Sequence, residues 1–304
     1  MCLQLLGYTF DAETKHYTCS LLPNAVNSQF YHYQLSGAVG AVMKLTGLID
    51  LEPLIKYGMV DLKSQKAEGI REAARHLESL KYHGAILADE TGFGKTKLSL
   101  LALLLYCILA KPNKPHVLLI PGTLIGLWLD ELSLWPYFTV FLSYGDPSFK
   151  TPGCKVLSSA QLSMNRDGKF GRLPQSLQYL FNGDRNAGRV IILSIFDTHW
   201  TRTADLTAEQ IPGESFEPPK YKDGKEIWKK EPSVRYAVRT DFTKKFEVLI
   251  VDEAHRVKNK DTRIWKALYL QKFEKTILIT ATPVFNTIHV SSPKVYINET
   301  ITTD

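Results

Sequence analysis

Residues Gly84–Ala110, GAILADETGFGKTKLSLLALLLYCILA, decide the fold. Gly84–Ala88 is an apolar run without alternation, the pattern of a strand buried on both faces. Lys97–Ala110 is too long an apolar run for a strand and reads as a buried helix. Between them lies the turn Asp89–Thr96, DETGFGKT, which ends in Gly94, Lys95 and Thr96 at the start of that helix. Strand, glycine-containing turn and helix in this order form a phosphate-type loop. Backbone N–H groups at such a helix start can cradle phosphate oxygens, Lys95 can pair with the β- and γ-phosphates, and Thr96 can ligate Mg²⁺. The common pattern, G-x-x-x-x-G-K-[ST], opens on glycine; this chain has Asp89 there.

The same apolar texture returns at His116–Ile120 (HVLLI), Val190–Leu193 (VIIL), Phe246–Val251 (FEVLIV) and Thr276–Thr280 (TILIT). Such strands, with helices between them, predict an α/β fold: a mainly parallel, doubly wound sheet with helices on both faces. Upstream, Leu35, Val39, Val42 and Leu45 fall at helical spacing, and Glu68–Lys81 is rich in helix-forming residues. The expected organisation is an N-terminal extension over 1–30, a helical lead-in over 31–83, an α/β lobe over 84–286 and an atypical tail over 287–304. Within the lobe, 203–245 is rich in Pro, Lys and Glu and reads as a surface insertion. Gly145–Asn182 reads as loop, with one helix near Gln175–Phe181.

Composition agrees with a folded chain. Of 304 residues, 44% are hydrophobic and 22% charged, which excludes collagen-like and wholly disordered classes. The net charge of +6 suits a polyanionic partner without demonstrating one. Cys2, Cys19, Cys107 and Cys154 form no C-x-x-C pair, so the spacing offers neither a zinc site nor a disulfide framework. The opening MCLQLLGYTF lacks a basic segment and runs into Asp11 and Glu13, unlike a secretory signal. No membrane association is expected, since the longest apolar run, Leu98–Ala110, falls short of the about 20 residues a crossing needs.

A second motif completes the chemistry. In LIVDEAH, Leu249–His255, an apolar strand delivers two carboxylates at its C-terminal end, the edge where ligands bind in such sheets. Asp252 is placed to hold Mg²⁺, directly or through water, and Glu253 to orient and activate an attacking water.

These motifs belong to an ordered series. DETGFGKT resembles the phosphate loop of the Swi/Snf-type DNA-dependent ATPases of helicase superfamily two, in which Asp commonly replaces the first glycine. Pro121, Leu124, Trp128, Glu131 and Trp135 in LLIPGTLIGLWLDELSLW match that family's next motif, and ILSIFDT, Ile192–Thr198, looks like its following strand and turn. DEAHRVKN, Asp252–Asn259, resembles the family's acidic motif, and TATPVFN, Thr280–Asn286, its coupling motif. The chain thus resembles the family's N-terminal motor lobe over about Tyr31–Asn286.

The resemblance implies a RecA-like P-loop NTPase fold, with ATP and Mg²⁺ as cofactors, duplex DNA or chromatin as partner, and the nucleus as location. It implies that Gln34 reads adenine and that Asp89, Glu90, Thr91, Gly92, Phe93, Gly94, Lys95 and Thr96 surround the phosphates. His255 would link the hydrolytic site to the coupling residues Thr280 and Thr282, and Thr123, Ser194 and Thr198 would donate to DNA phosphates. Lys225, Lys229, Lys230, Lys258 and Lys260 would add non-specific attraction. Trp128 and Trp135, one at i and one at i+7, are expected as core anchors.

Some positions depart from the family. Thr91 and Phe93 differ from common choices in the loop, Ala281 stands where glycine is usual, and Phe285 replaces a usual glutamine. After Asn286 the residues TIHVSSPKVYINETITTD carry no further βα pattern, so the arginine finger of the family's second lobe is not expected within these residues. Two readings follow: a motor lobe that hydrolyses weakly alone, or a nucleotide- or DNA-binding module without turnover.

Overall fold

The computed structural model describes residues 8–13, 16–19, 25–46, 83–90, 92–145, 154–159, 161–162, 174–209, 220–222, 225–227 and 235–281. The expected helix at Glu68–Lys81, Thr91, Thr282, Phe285, Lys229, Lys230 and the tail over 287–304 lie outside them.

In chain order the elements are β1 (Tyr8–Asp11), β2 (His16–Cys19), α1 (His32–Thr46), β3 (Gly84–Leu87), α2 (Lys95–Ala110), β4 (His116–Ile120), α3 (Ile125–Ser133), β5 (Thr139–Leu142) and β6 (Cys154–Val156). They continue with β7 (Val190–Ile195), α4 (Phe196–Thr203), β8 (Asp205–Glu209), β9 (Lys220–Lys222), β10 (Lys225–Ile227), β11 (Arg235–Arg239), β12 (Val248–Val251), α5 (Arg263–Gln271) and β13 (Lys275–Ile279). Among the described residues, seven strands form one sheet in the order β3-β13-β12-β4-β7-β5-β6. Every neighbouring pair in it is parallel.

Alternation along the strands sorts their side chains into two cores, one on each face. Leu118, Ile120, Leu193, Ile250 and Ile277 point to one face and pack with Leu35, Leu103 and Trp128 of α1, α2 and α3. Val117, Leu119, Ile192, Leu249 and Leu278 point to the other and pack with Phe196 of α4 and Leu268 of α5. Helices therefore cover both faces, as the apolar strand runs required. The sequence of α2 is apolar all round because it lies between the sheet and α1, and every residue from Leu98 to Cys107 is buried. Gly37 permits this layering, since a Cβ there would meet Leu98 Cδ1 at 2.7 Å. No helix among the described residues is long and apolar enough to cross a membrane.

Several expectations change. Ala25, Val26 and Phe30 are buried, and the Asn27 N–H donates to the Leu134 carbonyl at 2.6 Å, so the end of the expected extension belongs to the core. Farther upstream, β1 and β2 pair as an antiparallel hairpin. The expected insertion contains paired strands, β8 with β11 and β9 with β10. Its return is anchored by Phe242, which is buried and stacks on Phe246 at 5.5 Å. The expected helix at Gln175–Phe181 is a 3₁₀ segment. The ILSIFDT segment is a strand only to Ile195; α4 begins at Phe196, so Thr198 lies on a helix rather than a turn.

Candidate active site

Parallel strands carry their C-terminal ends to one edge of the sheet, and the phosphate-type loop after β3 and the acidic motif after β12 meet there. They are not adjacent: β13 lies between β3 and β12 and brings Thr280 to the same edge. Ladder geometry continues past the strand ends, with the Thr280 N–H donating to Leu87 O at 3.1 Å and the Asp252 N–H to Leu119 O at 2.9 Å.

The loop turns twice through left-handed backbone, at Gly92 (φ 87°) and Gly94 (φ 69°), conformations that a side chain disfavours. Asp89, Glu90, Gly92 and Phe93 are exposed, and Lys95 and Thr96 are half-buried at the first turn of α2. The Lys95 ammonium folds back over the loop and donates to the carbonyls of Asp89, at 2.6 Å, and Glu90, at 2.7 Å. Gln34, in the first turn of α1, is buried beneath the loop: its Oε1 accepts from the Tyr31 N–H at 3.0 Å and its Nε2 reaches Phe93 O at 3.5 Å. A Cβ at Gly94 would collide with that amide nitrogen, a second reason for glycine there. Tyr33 meets the exposed Phe93 ring edge-on at 5.8 Å.

Asp252 is buried, and both carboxylate oxygens are held. Oδ1 accepts from the Glu253 N–H and Oδ2 from the Trp128 indole N–H, each at 2.9 Å. Burial pushes its pKa above the ordinary carboxylate value; the Trp128 and Glu253 donors and the positive charge of Lys95 oppose that rise, while the charge of Glu253 adds to it. Lys95 and Asp252 are thus electrostatic neighbours. Glu253 sits in left-handed backbone, φ 54°, and its Oε2 lies 3.2 Å from His255 Nδ1. An ammonium and a helix N-terminus on one side, with a hydroxyl and a buried carboxylate nearby, form a donor set suited to a polyphosphate and a hard divalent cation.

The remaining candidates separate. Thr123 is exposed after β4, and Thr198 is half-buried on α4. Ser194 is buried inside β7 and its hydroxyl donates to Ser143 O at 3.0 Å. A phosphate at Ser194 would have to take the place of that acceptor. Trp128 and Trp135 are both fully buried, as anchors should be. The polar role of Trp128 was missed; a buried indole N–H needs an acceptor, the signal that could have prompted the search. Arg256 was also missed: its guanidinium lies 4.7 Å from the Phe196 ring centre, joining the acidic motif to the start of α4.

Residues 59–292 match the SNF2-related domain. Protein chromatin remodeling 19 of Arabidopsis thaliana is 26% identical over 210 residues, which cover 68% of this chain and 21% of that protein. The SWI/SNF-related matrix-associated actin-dependent regulator of chromatin subfamily A containing DEAD/H box 1 of Homo sapiens is 42% identical over 97 residues, covering 31% of this chain and 9% of that protein. The solved Sulfolobus solfataricus SWI2/SNF2 ATPase core in complex with dsDNA overlays 86% of this chain and 34% of its own, at 16% identity and a TM-score of 0.43. The chain therefore spans about a fifth or less of the length of these two curated relatives.

Proposed function

Because the chain belongs to the SNF2-related domain family, we propose that it is the ATP-binding motor lobe of a DNA-dependent ATPase acting on chromatin in remodelling or repair, in the nucleus. The observation that carries this reading is the placement of the loop with Lys95, after β3, and of Asp252, after β12, at the same C-terminal edge of one parallel sheet. In this reading Lys95 exchanges the Asp89 and Glu90 carbonyls for β- and γ-phosphate oxygens. Thr96 and Asp252 hold Mg²⁺, which when bound neutralises phosphate charge. Glu253 orients a water and accepts its proton, while His255 steadies the Glu253 carboxylate and Gln34 serves the adenine end. Thr280 and Thr282 couple the site to a second lobe. Duplex DNA lies along the turn after β4 that bears Thr123 and the start of α4 that bears Thr198, while exposed Lys258 and Lys260 add salt-dependent attraction.

The test is Mg·ATP binding and steady-state turnover of the purified 304-residue chain, with and without duplex DNA. Binding is expected in the unmutated chain and is expected to be lost in Lys95→Ala. Glu253→Gln keeps binding and loses about 10²-fold or more of whatever turnover is present. Turnover by this chain alone stays near background, since the family's arginine finger, worth about 10³ to 10⁵ in rate in analogous NTPases, comes from a second lobe. A folded chain that binds no nucleotide overturns the proposal. Binding with no turnover even beside an added second lobe favours the non-hydrolysing module.

A further inference from the structure

The geometry points to Trp128 as a positioning residue for the cation-holding carboxylate: its indole N–H fixes Asp252 in the orientation that Mg·ATP requires. This inference rests on the nucleotide reading above. Trp128 lies on α3 and Asp252 follows β12, yet the indole nitrogen meets Oδ2 at 2.9 Å in a buried contact. The indole is rigid, with two side-chain torsions, and its ring packs in the core formed with α2 and the sheet. Its N–H direction is therefore set by packing rather than by solvent. The other oxygen, Oδ1, is set by the backbone N–H of Glu253. With one donor on each oxygen, rotating the carboxylate plane breaks a hydrogen bond, and each oxygen retains a lone-pair direction for a cation or its bound water. Outer partners that orient a ligating carboxylate in this way change metal affinity by about 10- to 100-fold when removed.

Trp128→Phe keeps an aromatic ring in the core and deletes the donor, at the cost of the volume of the second indole ring, so the Mg-free titration and the melting curves separate lost packing from the lost hydrogen bond. The experiment titrates the unmutated chain and Trp128→Phe with ATP in the presence of Mg²⁺ and again in EDTA, by calorimetry, with thermal melting of each protein alongside. The expected result is a dissociation constant for Mg·ATP raised at least about ten-fold in Trp128→Phe, with Mg-free ATP binding unchanged. A residue that only fills space would weaken both equally or neither, and either outcome overturns the inference. If Trp128→Phe does not fold, the indole N–H resonance of Trp128 in the unmutated chain replaces it: that signal is expected to shift with Mg·ATP and not with ATP in EDTA. An equal response to both ligands overturns the inference. An unmutated folded chain that binds neither ligand overturns the nucleotide reading and this inference with it. An unmutated chain that binds while Trp128→Phe binds identically overturns the inference alone.

Discussion

His116 and His199 are buried imidazoles, and burial lowers both to a pKa of about 4 against the weaker opposing pull of hydrogen bonds to Gly188 O and Gln271. An unfolded chain protonates these rings near pH 6.5. Between pH 6.5 and about 4 the unfolded state therefore takes up protons that the folded state refuses, so stability falls as pH drops through that window and the loss is complete below it. At about 1.4 kcal/mol per pKa unit, each ring costs up to about 3.5 kcal/mol. His199→Gln is expected to flatten the decline in melting temperature across this window, whatever it does to stability at neutral pH. Lys95, Thr96, Asp252 and Glu253 could be put forward from sequence because the chemistry expected of each motif is carried by adjacent positions. The Trp128–Asp252 bond was not, because its partners are 124 residues apart and only packing of α3 on the sheet joins them.

Among elements, α2 carries the clearest energetic consequence. Leu103 is fully buried, and Leu103→Ala is expected to cost about 3 kcal/mol in urea unfolding, through lost transfer energy and the cavity left behind. Leu109, on the same helix, is 55% exposed, and Leu109→Ala is expected to change stability by less than about 0.5 kcal/mol. The strands around the site were readable as apolar runs, because β4, β7 and β12 are buried on both faces. β5 and β6 escaped notice for physical reasons. TVFL is short and begins on an exposed Thr139, and β6 is three residues at the sheet border. In the insertion, β9 and β10 are three residues each, too short for a period to show, and β8 meets its antiparallel partner β11 only across the intervening β9 and β10. Packing also explains why the segment at Ala25–Phe30 joins the fold: Phe30 meets the Trp135 ring edge-on at 5.8 Å.

For the molecule as a whole, a ligand that binds only the folded state raises its stability by mass action, by about 2.7 kcal/mol at a hundred times the dissociation constant. Saturating Mg·ATP is therefore expected to raise the melting temperature of the unmutated chain by several degrees, and to leave that of Lys95→Ala where it was; scanning calorimetry checks both. The order of the sheet has a further effect, on the birth of the protein. β3 lies at the sheet border, and the strand that pairs with it is β13, the last in the chain among the described strands. Gly84 leaves the ribosome long before Thr276, its partner in the ladder. Such distant pairing carries a loop-closure cost and is slow. Until β13 is made, the strand leading into the phosphate-type loop lacks the partner it has in the folded lobe, and an open strand border is a template for wrong pairing. On the nucleotide reading, the phosphate site is thereby tied to completed synthesis: a lobe without β13 holds the loop's residues without the ladder beside β3.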